Sequence, residues 1–411
     1  MVPKGWEIKH LSELASKISD GIHKTPLYAD TSEIYFINGN NLKSGSIVIQ
    51  DSTKCVDEND AINHRKDLGV RTLLMSINGT IGNLAYYRGE NVVLGKSASY
   101  INIKDSVNLD FIYYVLSSSK TQAFYESELT GTTIRNLSIK SIKSTEILTP
   151  PLPEQKKIAQ ILLTWDNAIL VTEKLLTNSQ QQKKALMQQL LTGKKRLLDE
   201  NGTRFSETWK LYALSELFQR VTTKNNGKSN NVVTISGQHG LIKQEDFFKK
   251  TVASDTLDGY FLLKKGQFAY NKSYSNGYPM GAIKRLNRYP EGVVTTLYIC
   301  FELTTPKKSC GDYWEHYFES GLLNNSLSQI AHEGGRAHGL LNVKPSDFFS
   351  LKVAVPGFEE QQKIASVLSS ADTEISTLEK KLACLKDEKK ALMQQLLTGK
   401  RRVKVDEAVA V

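Results

Sequence analysis

Lys183-Lys184-Ala185-Leu186-Met187-Gln188-Gln189-Leu190-Leu191-Thr192-Gly193-Lys194 returns residue for residue as Lys389 to Lys400, 206 positions later. The upstream triplets Lys157-Ile158-Ala159 and Lys363-Ile364-Ala365 keep the same interval, so the two copies align from there without a gap. One long block is written twice.

Within the block, apolar residues step by fours and threes. Ile158, Leu162, Trp165, Ile169 and Leu176 are followed by Leu186 and Leu190. The second copy is fuller: Ile364, Leu368, Ala371, Ile375, Leu378, Leu382, Leu385, Leu392 and Leu396. This is the period of a heptad seam. Thr172, Ser179 and Lys183 interrupt the first seam, and Lys389 the second. Helix punctuation bounds both copies: Pro153 with Glu154, or Glu359 with Glu360, suits a first turn, and Gly193 and Gly399 suit the left-handed position after the last. Lys194-Lys195-Arg196 and Lys400-Arg401-Arg402 follow, where the helix dipole favours cations. The spacing predicts two helices of about 39 residues, each ~58 Å long. A duplicated seam of that length pairs most simply with itself, as an antiparallel intramolecular coiled coil. The competing arrangement packs each helix separately on its own domain. Outward Gln and Lys positions remain for a partner.

The duplication reaches beyond the helices. Trp6-Glu7-Ile8-Lys9-His10-Leu11-Ser12-Glu13-Leu14 opens the first half, and Trp209-Lys210-Leu211-Tyr212-Ala213-Leu214-Ser215-Glu216-Leu217 opens the second. Each half also closes alike, with Asn136 and Pro150 answered by Asn342 and Pro356, consistent with a strand that ends in Pro and hands over to the long helix. Between these frames the sequences scarcely match. Both fillings hold short β-favouring runs between Gly and Asn turns, such as Tyr35–Ile37, Leu73–Ile77 and Ser99–Ile103, then Val232–Ile235, Gln267–Tyr270 and a longer run, Val293–Ile299. Asp110–Leu116 looks helical. The expected fold class is α+β, with two globular domains separated by two long helices in pseudo-two-fold arrangement. The boundaries are 1–150 and 199–355 for the globules, 151–198 and 356–400 for the helical spacers, and 401–411 for a tail.

Composition narrows the function. The 411 residues are 40% hydrophobic, enough for two cores, and the formal charge of +10 favours a polyanionic partner. Cys55, Cys300, Cys310 and Cys384 lie far apart and show no zinc spacing or disulfide framework. With no signal-like or spanning apolar run, the expected location is the cytoplasm, without a membrane.

Catalytic motifs fail on spacing. Gly89-Glu90-Asn91-Val92-Val93-Leu94-Gly95-Lys96-Ser97 imitates a phosphate loop, but five residues separate its glycines where four are required. His332-Glu333-Gly334-Gly335-Arg336 opens like a zinc-protease helix, yet Arg336 stands where the second His belongs. The sequence supports no catalytic residue and no metal site.

What the fillings offer is polar loop chemistry. In the first, Asn38, Asn40, Asn41 and Lys43 cluster near Gly39; Ser76, Asn78 and Thr80 surround Gly79; and Thr132, Thr133 and Arg135 follow Gly131. In the second stand Gln238, His239, Asn271, Lys272, Tyr274, Asn276, Lys284, Arg285, Arg336 and His338. Asn and Gln can bond adenine bidentately, Arg and Lys can bond guanine, and hydroxyls and Lys can hold phosphates. These are the candidate DNA-binding residues, and they lie in the diverged part of a duplicated frame. Readout of two different sequences is the expectation; an assembly protein whose globules bind other proteins is the alternative.

The paired Trp-x-x-x-x-Leu-Ser-Glu-Leu openings, the Pro151-Leu152-Pro153-Glu154-Gln155-Lys156-Lys157-Ile158-Ala159 helix start with its counterpart at Glu359–Ala365, and the twin Leu-Leu-Thr-Gly-Lys ends resemble the specificity subunit of type I restriction-modification systems, the HsdS family. The resemblance covers essentially the whole chain, although the second helix start lacks the Pro. It implies two target recognition domains, each reading half of a bipartite site in double-stranded DNA, with the helices setting their distance. It also implies no catalytic residue and no cofactor in this chain. Its partners would be two modification subunits, which use S-adenosylmethionine, and restriction/translocase subunits, which use ATP and Mg2+.

Overall fold

The computed structural model describes residues 2–131, 135–248, 256–305, 308–333 and 341–405. The chain divides into two compact units, residues 1–173 with 380–411, and residues 174–379. Each therefore combines one globule with the near part of one long helix and the far part of the other.

The helices span Leu152–Leu190 and Phe358–Leu396, 39 residues each, as the heptad spacing predicts. Gly193 (φ 70°) and Gly399 (φ 68°) take the left-handed conformation expected after the last turn. In unit 1 the start of the first helix lies against the end of the second; in unit 2 the start of the second lies against the end of the first. That is antiparallel pairing. Ile158, Leu162 and Leu396 are buried in unit 1, and Leu190, Ile364 and Leu368 in unit 2. Trp165, Ile169, Leu176, Leu186, Ile375, Leu378, Leu382, Leu385 and Leu392 are half-buried. Apolar burial is thus complete near the helix ends, while buried positions farther along include the polar Thr172 and Ser179.

Three of the polar interruptions, Ser179, Lys183 and Lys389, are ties between the helices. In unit 2, Lys183 Nζ donates to Asp372 and Ser179 Oγ donates to Glu374 at 2.8 Å. In unit 1, Lys389 Nζ donates to Asp166. Lys183 and Lys389 are repeat equivalents, as are Asp166 and Asp372, so one ion pair occurs twice. Thr172 is buried with its hydroxyl on the carbonyl of Ala168, 2.8 Å away.

Unit 1 is built on an antiparallel sheet ordered Ala15–Asp20, Ala98–Ile103, Thr72–Ser76, Leu84–Tyr86. Leu73, Met75, Ile101 and Ile103 face helix Leu109–Ser117, whose Phe111, Ile112 and Leu116 are fully buried. Asn108 caps that helix, accepting from the Phe111 N–H at 2.8 Å. A second sheet, ordered Val92–Leu94, Tyr35–Ile37, Cys55–Val56, Tyr28–Ala29, joins it.

Unit 2 repeats the first sheet from unrelated residues, in the order Phe218–Arg220, Ile299–Leu303, Phe268–Asn271, Ala282–Arg285. Aromatic packing replaces aliphatic packing: Phe268 stacks on Phe301 at 5.5 Å, and Phe218 meets Trp314 edge to face at 5.0 Å. Topology is duplicated where sequence is not. One expected strand divides. Val293–Ile299 is split between Glu291–Val294 and Ile299–Leu303, because Tyr298 N–H turns back to the Thr295 carbonyl at 3.2 Å and the two parts pair in different sheets.

Candidate nucleic-acid interface

A repeated buried junction carries each globule on the helices. In unit 1, Glu154 is 4% exposed, and its carboxylate accepts from Arg402 Nε and Nη2 at 2.8 and 2.9 Å and from the Trp6 indole N–H at 3.0 Å. In unit 2, Glu360 is 2% exposed and accepts from Arg196 at 2.6 and 2.7 Å and from the Trp209 indole at 3.2 Å. A planar guanidinium satisfies both carboxylate oxygens at once, so a buried charge is held without an orphan. The neighbouring amides work in the same way. Gln155 donates to the Pro150 carbonyl at 2.8 Å and accepts from Asn108 N–H at 2.9 Å; Gln361 donates to Pro356 and accepts from Cys310 N–H, both at 3.0 Å. Glu13 and Glu216 accept the His10 and Ala213 N–H groups, each at 2.6 Å. Every separately repeated motif meets its counterparts here.

With its base fixed, unit 1 brings three candidate loops together. Ser97 Oγ donates to Asn38 Oδ1 and accepts from Gly39 N–H, both at 2.9 Å, and Thr80 Oγ1 donates to the Gly39 carbonyl at 3.1 Å. Ser76 Oγ donates to the Thr80 carbonyl. A Cβ on Gly39 would lie 2.8 Å from Ser76 Cβ, which explains the glycine. Asn78 bridges Asn136, drawing in the loop that carries Arg135. Asn41 is buried and spent internally, donating to the Val48 carbonyl at 3.0 Å and accepting from Asn38 N–H at 3.0 Å. Asn40 and Lys43 are exposed. Arg135 is exposed and paired with Glu126. Beside these loops is a polar cleft of about 310 Å3 lined by Asn38, Asn40 and Asn41 with Tyr28, Phe36 and Lys54. Thr132 and Thr133 lie outside the described residues.

Unit 2 clips two turns to each other. Tyr278 Oη donates to the Gly237 carbonyl at 2.8 Å, tying the Ser275–Tyr278 turn to the hairpin tip that bears Gln238 and His239. Lys284 Nζ reaches Tyr278 Oη at 2.9 Å and pairs with Glu319, and Arg285 pairs with Asp312 and Glu315. Both cations therefore brace the globule. Asn271 Oδ1 accepts from Ser273 N–H at 3.1 Å. Burial, then the nearby Arg220, lowers the Lys272 pKa, and its amine lies 3.5 Å from the Val343 carbonyl. Tyr274 and Asn276 are exposed at the turn. Gln238, His239, Lys284 and Arg285 line one cleft of about 400 Å3. Arg336 and His338 lie outside the described residues.

Among the described residues, no group of three or more His, Cys, Asp or Glu could hold a metal ion, and no helix is long and apolar enough to cross a membrane. A duplicated scaffold carrying two sets of polar loops is an architecture for recognition.

Residues 3–178 match the family described as the type I restriction modification DNA specificity domain. The specificity subunit of the type I restriction enzyme MjaVIII from Methanocaldococcus jannaschii is 24% identical over 98% of this chain and 94% of its own length. Over residues 3–178 the chain is similar to the type I restriction-modification DNA specificity domain. A second relative from that organism, described as the putative MjaX specificity subunit, is also 24% identical, over 98% and 95% of the two chains. The fold matches the S subunit from M. genitalium (TM-score 0.57, 17% identity, 96% of each chain) and the HsdS subunit from Thermoanaerobacter tengcongensis (TM-score 0.50, 15% identity, 97% and 98%). Both curated relatives are described as specificity subunits of type I restriction enzymes.

Sequence reasoning missed the Glu154–Arg402–Trp6 and Glu360–Arg196–Trp209 contacts. The signal was present: Glu154 and Glu360, and Arg196 and Arg402, share the 206-residue interval, while the tryptophans share 203. It also missed the His316 contact, where a ring nitrogen lies 3.0 Å from Ser369 Oγ and the other 3.7 Å from Asp372.

Proposed function

We propose that each globule reads one half of a bipartite DNA site, and that the paired helices fix the unread distance between the halves and dock two modification subunits. The observation that carries this reading is the contrast between frame and filling. The junctions at Glu154 and Glu360 are identical in chemistry, while the globules they support share one four-stranded sheet order and almost no sequence. A frame kept constant beneath two different polar surfaces suits two different targets on one repetitive polymer. The net charge of +10 suits that polymer being DNA.

In this reading the chain itself is non-catalytic and binds no cofactor. S-adenosylmethionine belongs to the modification subunits, and ATP with Mg2+ to the restriction subunits. The chain contributes address and spacing, and works in the cytoplasm beside the chromosome. Gel-shift competition across a salt series, with the modification subunits present, tests it. Expected is sequence-selective binding whose affinity falls steeply with salt. Binding that ignores both sequence and salt would defeat it. Methylome sequencing of cells carrying the complex would display the bipartite motif.

A further inference from the structure

We propose that the joined turn tips of unit 2, carrying Gln238, Tyr274 and Asn276, are the surface that enters the major groove of the second half-site, with Gln238 and Asn276 reading adenine. This rests on the DNA-reading function proposed above, and it separates readers from braces among the candidate residues.

A side chain whose polar atoms are satisfied internally must break those bonds before it can read a base. Lys284 is held by Glu319 and Tyr278, Arg285 by Asp312 and Glu315, and Asn271 by Ser273 N–H. By contrast, the side chains of Gln238, Tyr274 and Asn276 make no hydrogen bond, ion pair or ring contact with any described residue, and all three are exposed. Tyr274 is 63% exposed, a large ring offered to solvent.

Their placement is rigid, while their side chains pair with no described residue. Ser275 and Tyr278 exchange backbone hydrogen bonds at 2.8 and 3.3 Å around Gly277, whose φ of 84° only glycine adopts without strain. Tyr278 then spans to the Gly237 carbonyl, and its ring packs so closely that a Cβ on Gly237 would lie 2.6 Å from it. His239 N–H is pinned by Ser236 Oγ at 3.2 Å. Free side chains on braced turns keep the ordering cost of binding low.

The chemistry is specific. Asn and Gln place an acceptor and a donor at the spacing of adenine N6 and N7 in the major groove. The Tyr274 ring adds apolar packing on bases or thymine methyl groups, a contact insensitive to salt.

The test uses the full chain with its modification subunits and the variants Gln238→Ala, Asn276→Ala, Tyr274→Ala and Tyr274→Phe. Gln238→Ala and Asn276→Ala should each relax one A·T position in one half-site of the methylome motif and lower cognate affinity roughly 10- to 100-fold. Tyr274→Ala should lower affinity with the salt slope unchanged, and Tyr274→Phe should restore it. Since none of the three side chains pairs with a described residue, thermal unfolding should match the parent. A motif and affinity unchanged in all three alanine variants would overturn the proposal, as would equal change in both half-sites. Failure of the unsubstituted complex to bind DNA selectively would instead overturn the reading beneath it.

Discussion

Glu360 and Arg196 show what a single residue contributes to this fold. Glu360 is 2% exposed and its charge is neutralised by one guanidinium. Removing the guanidinium strands a buried carboxylate, so Arg196→Met should destabilise unit 2 by about 3 kcal/mol, read by urea unfolding. Adding Glu360→Gln should recover part of the loss, because the amide removes the charge and still accepts from Trp209. A double variant worse than the single one would contradict this account. His316 sets a pH dependence. Burial first, then Lys183, lowers its pKa below the usual 6.5, against the opposing pull of Asp372, Asp312 and Glu319. The unfolded chain therefore takes up the proton before the folded one does. Stability from this group is complete above about pH 6.5 and declines as pH falls below it. In unit 1, Tyr114 stands against Asp166 at 2.7 Å where His316 stands against Asp372. His316→Tyr should therefore weaken the loss of stability of unit 2 as pH falls below 6.5, read as a flatter unfolding midpoint.

Among the elements, the long helices were the most legible. A seam repeated over 39 residues, glycines after the last turn and carboxylates in the first leave little freedom, and the helices begin and end where those signals stand. The polar residues Lys183, Ser179 and Lys389 read as defects only because their partners, Asp372, Glu374 and Asp166, are remote in sequence. These ties also fix register, since a slip of one residue would separate each pair. If the helices act as a ruler, a heptad inserted at matched positions in both adds ~10.5 Å, about three base pairs of unread spacer, and leaves both half-site sequences intact. Methylome motifs of the insertion strain would show it. A changed half-site would contradict the ruler. Strands were less legible, because short apolar runs mark existence better than ends. The run Val293–Ile299 hid a turn that only the separate sheet partners of its two parts reveal.

At the scale of the whole molecule, the duplicated architecture could be inferred from repeats, but the one four-stranded sheet order that the two globules share could not. Aliphatic and aromatic cores satisfy the same strand order, and no residue-by-residue match records that equivalence. Reading residues were legible only as classes. Asn, Lys and Arg in loops serve equally as braces or as readers, and Lys284 became a brace through Glu319, thirty-five positions away. Because each globule rests on its own junction, replacing residues 15–140 with another filling should change one half-site and leave the other, by the same methylome readout; loss of both would argue against independent recognition.

The junctions also carry an ancestry. Glu154 in the first repeat is neutralised by Arg402 from the second, and Glu360 in the second by Arg196 from the first. A single repeat contains both the buried acid and the arginine, yet in an antiparallel pair it can offer that arginine only to another copy. A half-length progenitor would thus have been a mutual exchange of helix ends between two identical chains, binding a palindromic site. In the present chain the exchange is intramolecular, and the two fillings above the shared frame differ in sequence.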